Sequence, residues 1–258
     1  MSLRNQTIIV TGASSGIGRM MALQFAREGA NVVLAARSAP ALEALAATIS
    51  AAGGSALAVP TDVRRDDDVQ NLVERTLAAF GTLDVLINNA GYGIFAPIES
   101  VDMPHIEGMI NVNYFGTMRC IIAVLPVMRR QNRGRIINIA SVAGLVSTPN
   151  TGAYSASKHA VVAATQAMQV ELMGSPITCS LICPGPIDTP FFVKADYAKM
   201  SRLAKIFGRL DPDDVVNIIG HIVQHPRTMR VTPRAFHGLA IAYRLFPFLT
   251  KRVLRWVG

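Results

Sequence analysis

The strongest constraint in this sequence is an alternation. Short, almost wholly apolar runs alternate with longer stretches of helical periodicity. The runs are Thr7–Thr11, Asn31–Ala36, Ala56–Pro60, Val85–Asn88, Arg135–Ala140 and Ile177–Ile182. The helical stretches are Gly16–Gly29, Pro40–Ala52, Asp67–Phe80, Met103–Arg130 and Gly152–Met173. A strand without a polar face must be covered on both sides, which calls for a parallel sheet between two layers of helices. Strand–helix alternation then gives right-handed crossovers and a doubly wound α/β domain. Glycine and proline mark turns at Gly53–Gly54, Gly81 and Pro184–Pro186.

With 258 residues the chain is long enough for one domain with a well-buried core. We expect a single domain over 1–258, with 191–258 forming a substrate loop and an amphipathic C-terminal segment packed on it. Half the residues are hydrophobic and 16% are charged, which fits a compact globule rather than a disordered chain. No uninterrupted apolar run reaches the length of a membrane span. Met1–Gln6 holds only Arg4 as a basic residue and leads straight into the first apolar run, so it reads as a strand approach and not a signal peptide. Cys120, Cys179 and Cys183 lack zinc-ligand spacing and are expected as free thiols in a reducing compartment, with no metal site.

Charge is distributed unevenly. No acidic residue follows Asp214, while Arg227, Arg230, Arg234, Arg244, Lys251, Arg252 and Arg255 do. The body is close to neutral and the tail is basic. Such a local feature is not the spread basic surface of a nucleic-acid-binding fold, so no nucleic-acid partner is expected.

The first run meets Thr11-Gly12-Ala13-Ser14-Ser15-Gly16-Ile17-Gly18 before the first helix. Strand, glycine turn and helix N-terminus together make a pyrophosphate seat, because N–H groups and the helix dipole face the anion. The second strand ends at Ala36-Arg37-Ser38. An acidic residue there would bind a ribose 2′-hydroxyl, whereas Arg37 suits a 2′-phosphate, which points to NADP(H) in preference to NAD(H). The other reading of Arg37 is a solvated loop residue. Asp62-Val63 follows the third strand, where a carboxylate can accept from an adenine amino group or simply cap a turn.

Tyr154 and Lys158 lie four apart in a helical stretch and share a face. An ammonium beside a phenol favours the phenolate, so Tyr154 is a candidate general acid/base. Together with the turn at 11–18, Asn88-Asn89-Ala90-Gly91, Asn113, Ser141 and Pro184-Gly185-Pro186-Ile187-Asp188-Thr189, this set resembles the ordinary-length branch of the short-chain dehydrogenase/reductase family over about residues 5–190. The resemblance implies a Rossmann-like doubly wound parallel sheet with helices on both faces and a helical C-terminal extension. It also implies hydride transfer between a nicotinamide and a C=O/CH–OH pair. Tyr154 then moves the proton, Lys158 binds the nicotinamide ribose and lowers the Tyr154 pKa, and Ser141 binds the carbonyl oxygen. Asn113 holds a water linked to Lys158, with Asn111 as the competing assignment. Asn89, Ala90 and Gly91 line the adenosine side; Pro184, Gly185, Ile187 and Thr189 lie toward the carboxamide.

Tyr92, Ile94, Phe95, Val142, Leu145, Val146, Phe191 and Phe192 are expected toward the substrate and are apolar or aromatic. The expected substrate is therefore an uncharged, rather apolar ketone or secondary alcohol, steroid-like or lipid-derived. Met229–Thr232 stands where the family has a last strand, and Ala235–Phe246 and Phe248–Trp256 read as amphipathic helices split by Pro247. Two readings of these helices stay open: peripheral association with an anionic membrane, or a lid or subunit contact. A cytoplasmic homodimer or homotetramer is expected by analogy with the family. A non-catalytic NADP(H)-binding regulator is the alternative to the enzyme, and the complete Ser141, Tyr154 and Lys158 set argues against it. A sugar-nucleotide epimerase or dehydratase is disfavoured by the tight glycine spacing and the short chain.

Overall fold

A computed structural model describes residues 3–189, 191 and 208–256; the side chains of Lys251 and of 253–256 are outside that description. Seven strands form one all-parallel sheet in the order β3-β2-β1-β4-β5-β6-β7. They are β1 (Thr7–Thr11), β2 (Asn31–Ala36), β3 (Ser55–Pro60), β4 (Val85–Asn88), β5 (Gly134–Ile139), β6 (Ile177–Pro184) and β7 (Met229–Thr232). The α-helices among the described residues are α1 (Gly16–Arg27), α2 (Ala39–Ala51), α3 (Asp66–Phe80), α4 (Met103–Ile110), α5 (Gly116–Gln131), α6 (Gly152–Glu171), α7 (Pro212–Gln224), α8 (Ala235–Leu245) and α9 (Pro247–Trp256).

The strand period of two sorts each run between two cores. Ile8, Val10, Val32 and Leu34 pack with Met21, Phe25, Leu42, Val216 and Ile219 from α1, α2 and α7. Ile9, Val33 and Ala35 pack on the opposite face with Leu72, Val73, Ile121, Val124 and Met168 from α3, α5 and α6. The chain reverses its winding between β1 and β4, and in such sheets the crevice beyond the strand C-termini at that point is where ligands bind.

A chain of buried amides crosses the second half of the sheet. Asn88 Nδ2 donates to Asn138 Oδ1 at 2.9 Å, and Asn138 Nδ2 donates to Thr165 Oγ1 on α6 at 2.9 Å.

Three findings go beyond the sequence reading. First, α7 was not among the expected helices; Asp211 caps it by accepting from Asp213 N–H, and it covers α1. Second, α4 and α5 are joined by a π-helical turn, Asn111–Phe115, so Met103–Gln131 runs as one helix. It is 29 residues long and holds an 18-residue stretch of mean hydropathy 1.3, enough for a membrane span by length and composition. It nevertheless packs on β4, β5 and α3 and carries the buried Asn113, as a core helix does. Third, Leu145 and Val146, expected toward the substrate, are buried. They share a buried cluster with Leu181, Val231, Phe236 and Ala240. Phe192, also expected toward the substrate, lies outside the described residues.

Candidate active site

The site is assembled from the ends of β1, β4, β5 and β6 and the first turns of α1 and α6. Helix α6 places Tyr154 and Lys158 on its inner face, 6% and 5% exposed. The Lys158 ammonium donates to the carbonyl of Ile139, the last residue of β5, at 3.0 Å. It sits 6.0 Å from the centre of the Tyr154 ring. Ser141, two residues past β5, accepts from Ala143 N–H at 3.1 Å and donates to Pro184 O at 3.4 Å, and it is near enough to Tyr154 to favour the phenolate.

Gly93 lets the aromatic ring in: a Cβ there would stand 2.9 Å from Tyr154 Cδ2. Phe95 then meets Tyr154 edge-on at 5.4 Å between centroids, and Phe191 lies tilted at 6.1 Å. Tyr92, Ile94 and Ala143 complete an apolar surround.

Burial decides the protonation states. It pushes the Tyr154 phenol up to about 12, opposed by the Ser141 hydrogen bond. It pulls the Lys158 ammonium down to about 8. Desolvation is the largest influence on the Tyr154 phenol, and the Lys158 ammonium, 6.0 Å from the ring centre, is committed to the Ile139 carbonyl.

Asn113 projects inward from the π turn, and Asn111 does not; Asn111 Oδ1 accepts from Arg119. The Asn113 side chain is fully used by protein groups. Its oxygen accepts from Tyr92 N–H at 3.0 Å, and its amide donates to Tyr92 O and to Ser157 Oγ, both at 2.9 Å. The expected water-holding role thus cannot use the side-chain NH2. Asn113 O accepts from the Thr117 hydroxyl at 2.8 Å. Ser157, inside the Tyr154–Lys158 interval, did not stand out in the sequence. It donates to Tyr154 O at 2.7 Å and fixes Asn113. Only its place between the two catalytic candidates could have signalled it.

The glycine turn is tied to β4. Gly12 has φ +69°, and Asn89 Nδ2 donates to Thr11 O at 2.9 Å. The N–H groups of Asn89 and Ala90 both donate to Thr11 Oγ1. Asn89 thus braces the turn as well as standing beside it. Ser14 is half-buried and Ser15 exposed, and Ser15 makes no side-chain capping bond to α1. No acidic residue occupies the first turn that follows, which includes Gly16, Ile17 and Gly18. Thr189 comes within 3.7 Å of where a Cβ on Gly16 would be, so the segment after β6 closes over the turn. In that segment Gly185 N–H is held by Thr232 O at 2.7 Å, Pro184 is buried as the last residue of β6, and the Ile187 side chain packs into the core. Gly91 lies where a Cβ would be 3.0 Å from Asn113 Oδ1 and 3.5 Å from Lys158 Nζ, so these three converge.

The far rim differs. Arg37 and Ser38 are exposed beyond β2, and Ser38 makes no side-chain cap to α2. Val63 is buried against Gly116. Asp62 is gripped by Arg64, whose Nε lies 2.9 and 3.0 Å from its two oxygens. The Arg64 hydrogen bond holds the Asp62 carboxyl below its usual range, and the charge of Arg37 adds to this. Arg64 is a rim cation that the sequence reading missed. An acid-free helix start, a glycine turn and a cationic rim fit a dinucleotide phosphate chain. Among the described residues no cluster of His, Cys, Asp or Glu suits a metal ion.

A family model described as short chain dehydrogenase matches residues 6–199. The chain is 32% identical to the ketoacyl reductase HetN of Nostoc sp., covering 100% of this chain and 91% of that one. It is 34% identical to a 3-oxoacyl-[acyl-carrier-protein] reductase of Synechocystis sp., covering 92% and 96%. A crystal structure of a short chain dehydrogenase/reductase from Burkholderia phymatum in complex with NAD matches with a TM-score of 0.87 at 30% identity, over 96% of each chain.

Proposed function

The chain belongs to the short chain dehydrogenase family and is thus an oxidoreductase of the CH–OH/C=O pair, and we propose that it is an NADP(H)-dependent reductase of uncharged, apolar ketones. The observation that carries this reading is the buried Tyr154, protonated at neutral pH, beside Ser141, Lys158 and an apolar wall. A bound nicotinamide dinucleotide supplies the hydride.

The residues of the chain do the rest. Tyr154 donates its phenolic proton to the carbonyl oxygen as negative charge develops there, and in alcohol oxidation it takes the proton back. Ser141 donates a second hydrogen bond to the same oxygen. Lys158, largely cationic below pH 8, stabilises the phenolate that Tyr154 becomes. Asn113, held by Tyr92 and Ser157, keeps the helices carrying these groups in place. Gly12, Ser14, Ser15, Gly16, Ile17 and Gly18 hold the pyrophosphate. Asn89, Ala90 and Gly91 flank the adenosine half, with Asp62 and Val63 at the adenine. Pro184, Gly185, Ile187 and Thr189 serve the carboxamide, and Lys158 the ribose.

Arg37 and Ser38 take the 2′-phosphate of NADP(H). The supports are the exposed cation beyond β2 and the neutral Ala36 beside it. The Burkholderia structure holds NAD, so the preference proposed for this chain is open to direct test. For the substrate, the aromatic surround of Tyr154 favours a lipid-derived carbonyl, as do the names of the two reductase relatives. Three free, buried thiols support a cytoplasmic setting. A homodimer or homotetramer through α5 and α6 is part of the reading, supported by the exposed Ile122, Val170 and Met173 on and just beyond them. All of 1–258 then acts as one NAD(P)-binding domain.

Calorimetric titration with NADPH and NADH tests the cofactor assignment. NADPH should bind tighter, with the advantage lost in Arg37→Ala; equal or tighter NADH binding overturns it. A screen of ketones tests the substrate class, and strong preference for a short, charged keto acid would sink it.

A further inference from the structure

Among the described side chains of the C-terminal helices and their junction, five large apolar ones are exposed. Helix α8 packs on the domain through Phe236 and Ala240, and α9 rests on α8. On the outer side, Ile241 and Leu245 are four apart and share a stripe of α8. Phe246, Phe248 and Leu249 continue it into the junction with α9. Leu245 is 66% exposed, Phe246 60% and Phe248 88%. A contiguous group of large apolar side chains in water marks an interaction surface.

Its surroundings name the partner. Arg244 and Arg252 are exposed beside the apolar group, and Arg234 stands at the start of α8. No acidic residue occurs beyond Asp214, while the remainder of the chain is nearly neutral. A protein groove of ordinary composition needs no such one-signed frame, but an anionic bilayer does. Apolar side chains enter the acyl boundary while guanidinium groups stay at the phosphates.

We propose that α8 and α9 dock the enzyme on an anionic lipid surface, with Ile241, Leu245, Phe246, Phe248 and Leu249 inserted and Arg244 and Arg252 at the headgroups. The inner side of α8 shares a buried cluster with Leu145 and Val146 through Phe236 and Ala240. An enzyme held this way works at the boundary where apolar carbonyls concentrate.

The test is flotation of the full-length protein with vesicles. One set is phosphatidylcholine alone, and the other contains roughly one-third phosphatidylglycerol, enough to give a negative surface. The protein should float with the anionic vesicles only. The double variant Phe248→Glu/Leu249→Glu should bind them at least about tenfold less, because two inserted side chains are replaced by repelled charges. Its circular dichroism and NADPH binding should be unchanged. Arg244→Glu/Arg252→Glu should also lose binding. No flotation of the parent protein, or flotation indifferent to both double variants, overturns the proposal. So does a parent that self-associates in sedimentation and becomes smaller on Phe248→Glu/Leu249→Glu, since a second copy then covers the face. NADPH binding in the same samples reports separately on the catalytic reading.

Discussion

The two ends of the crevice are built on opposite principles. Around Tyr154 the side chains are buried, and the amide and hydroxyl groups of Asn113, Ser157 and Ser141 are bonded to protein partners. Around Arg37 the groups stand in water, and the Asp62–Arg64 pair is the main constraint. A buried polar group is costly to leave unpaired, so the first end tolerates little change. An exposed ion pair contributes little, so the second end can be re-paired at small cost. Proton chemistry is thus expected to be fixed by the fold, and cofactor choice to be adjustable at the rim.

The largest effect should come from Tyr154→Phe. Losing the general acid should lower turnover by about 10²–10⁴-fold while calorimetric cofactor affinity stays near that of the parent. Retained turnover would break the comparison at its strongest point. The state of Tyr154 also sets a pH signature. With its pKa near 12, ketone reduction should be flat through neutral pH and alcohol oxidation should rise with pH, as read from initial rates.

Lys158 gives the next effect, in stability. Its folded pKa, about 8, is below the 10.5 of the free side chain. Between these values the unfolded chain binds more protons, so stability rises with pH across this window. The burial penalty is absent above 10.5 and fully present below 8. Comparison of Lys158→Met with the parent by denaturant titration should show a slope worth up to about 3 kcal/mol that is missing in the variant. A parallel pH dependence in both proteins would show that the Lys158 charge is not desolvated.

Ser157→Ala should cost about 1–3 kcal/mol, because an Asn113 N–H loses its partner inside the protein. Turnover should fall as well, and Ser157→Thr should restore part of both if the methyl group fits. Arg37→Ala should weaken NADPH by about tenfold, or 1.4 kcal/mol, and leave NADH unchanged. Arg64→Ala should be mildest, changing thermal stability by less than about 1 kcal/mol, since its pair with Asp62 is at the surface. If Arg64→Ala costs more NADPH affinity than Arg37→Ala, the rim has been assigned to the wrong arginine.

Much of the framework was legible because fully buried parallel strands are written as unbroken apolar runs between glycine and proline turns. β1, β2 and β4 begin and end where those runs do. Helix α7 has a readable start, Asp211 before Pro212, but its partner α1 lies far away in the sequence, so its docking has no local signal. The π turn depends on the Tyr92 backbone holding Asn113, a contact between distant segments. The protonation of Tyr154 depends on how deeply Phe95, Gly93 and Phe191 enclose it, and spacing carries no depth. Arg64 was hidden for a similar reason: only folding shows which of several arginines turns back on Asp62.

The buried amide chain has a consequence for alignment. β4 and β5 are apolar enough to bury themselves equally well if one slid past the other by two residues. Asn88 opposite Asn138 makes that slide expensive, for both amides would enter an apolar interior unmatched. Thr165 extends the same lock to α6, about two helical turns from Lys158. Asn138 immediately precedes Ile139, whose carbonyl receives the Lys158 ammonium. The three polar side chains therefore work as a vernier: they set strand against strand and helix against strand to within one residue, and the position of the proton-transfer group is read off that setting.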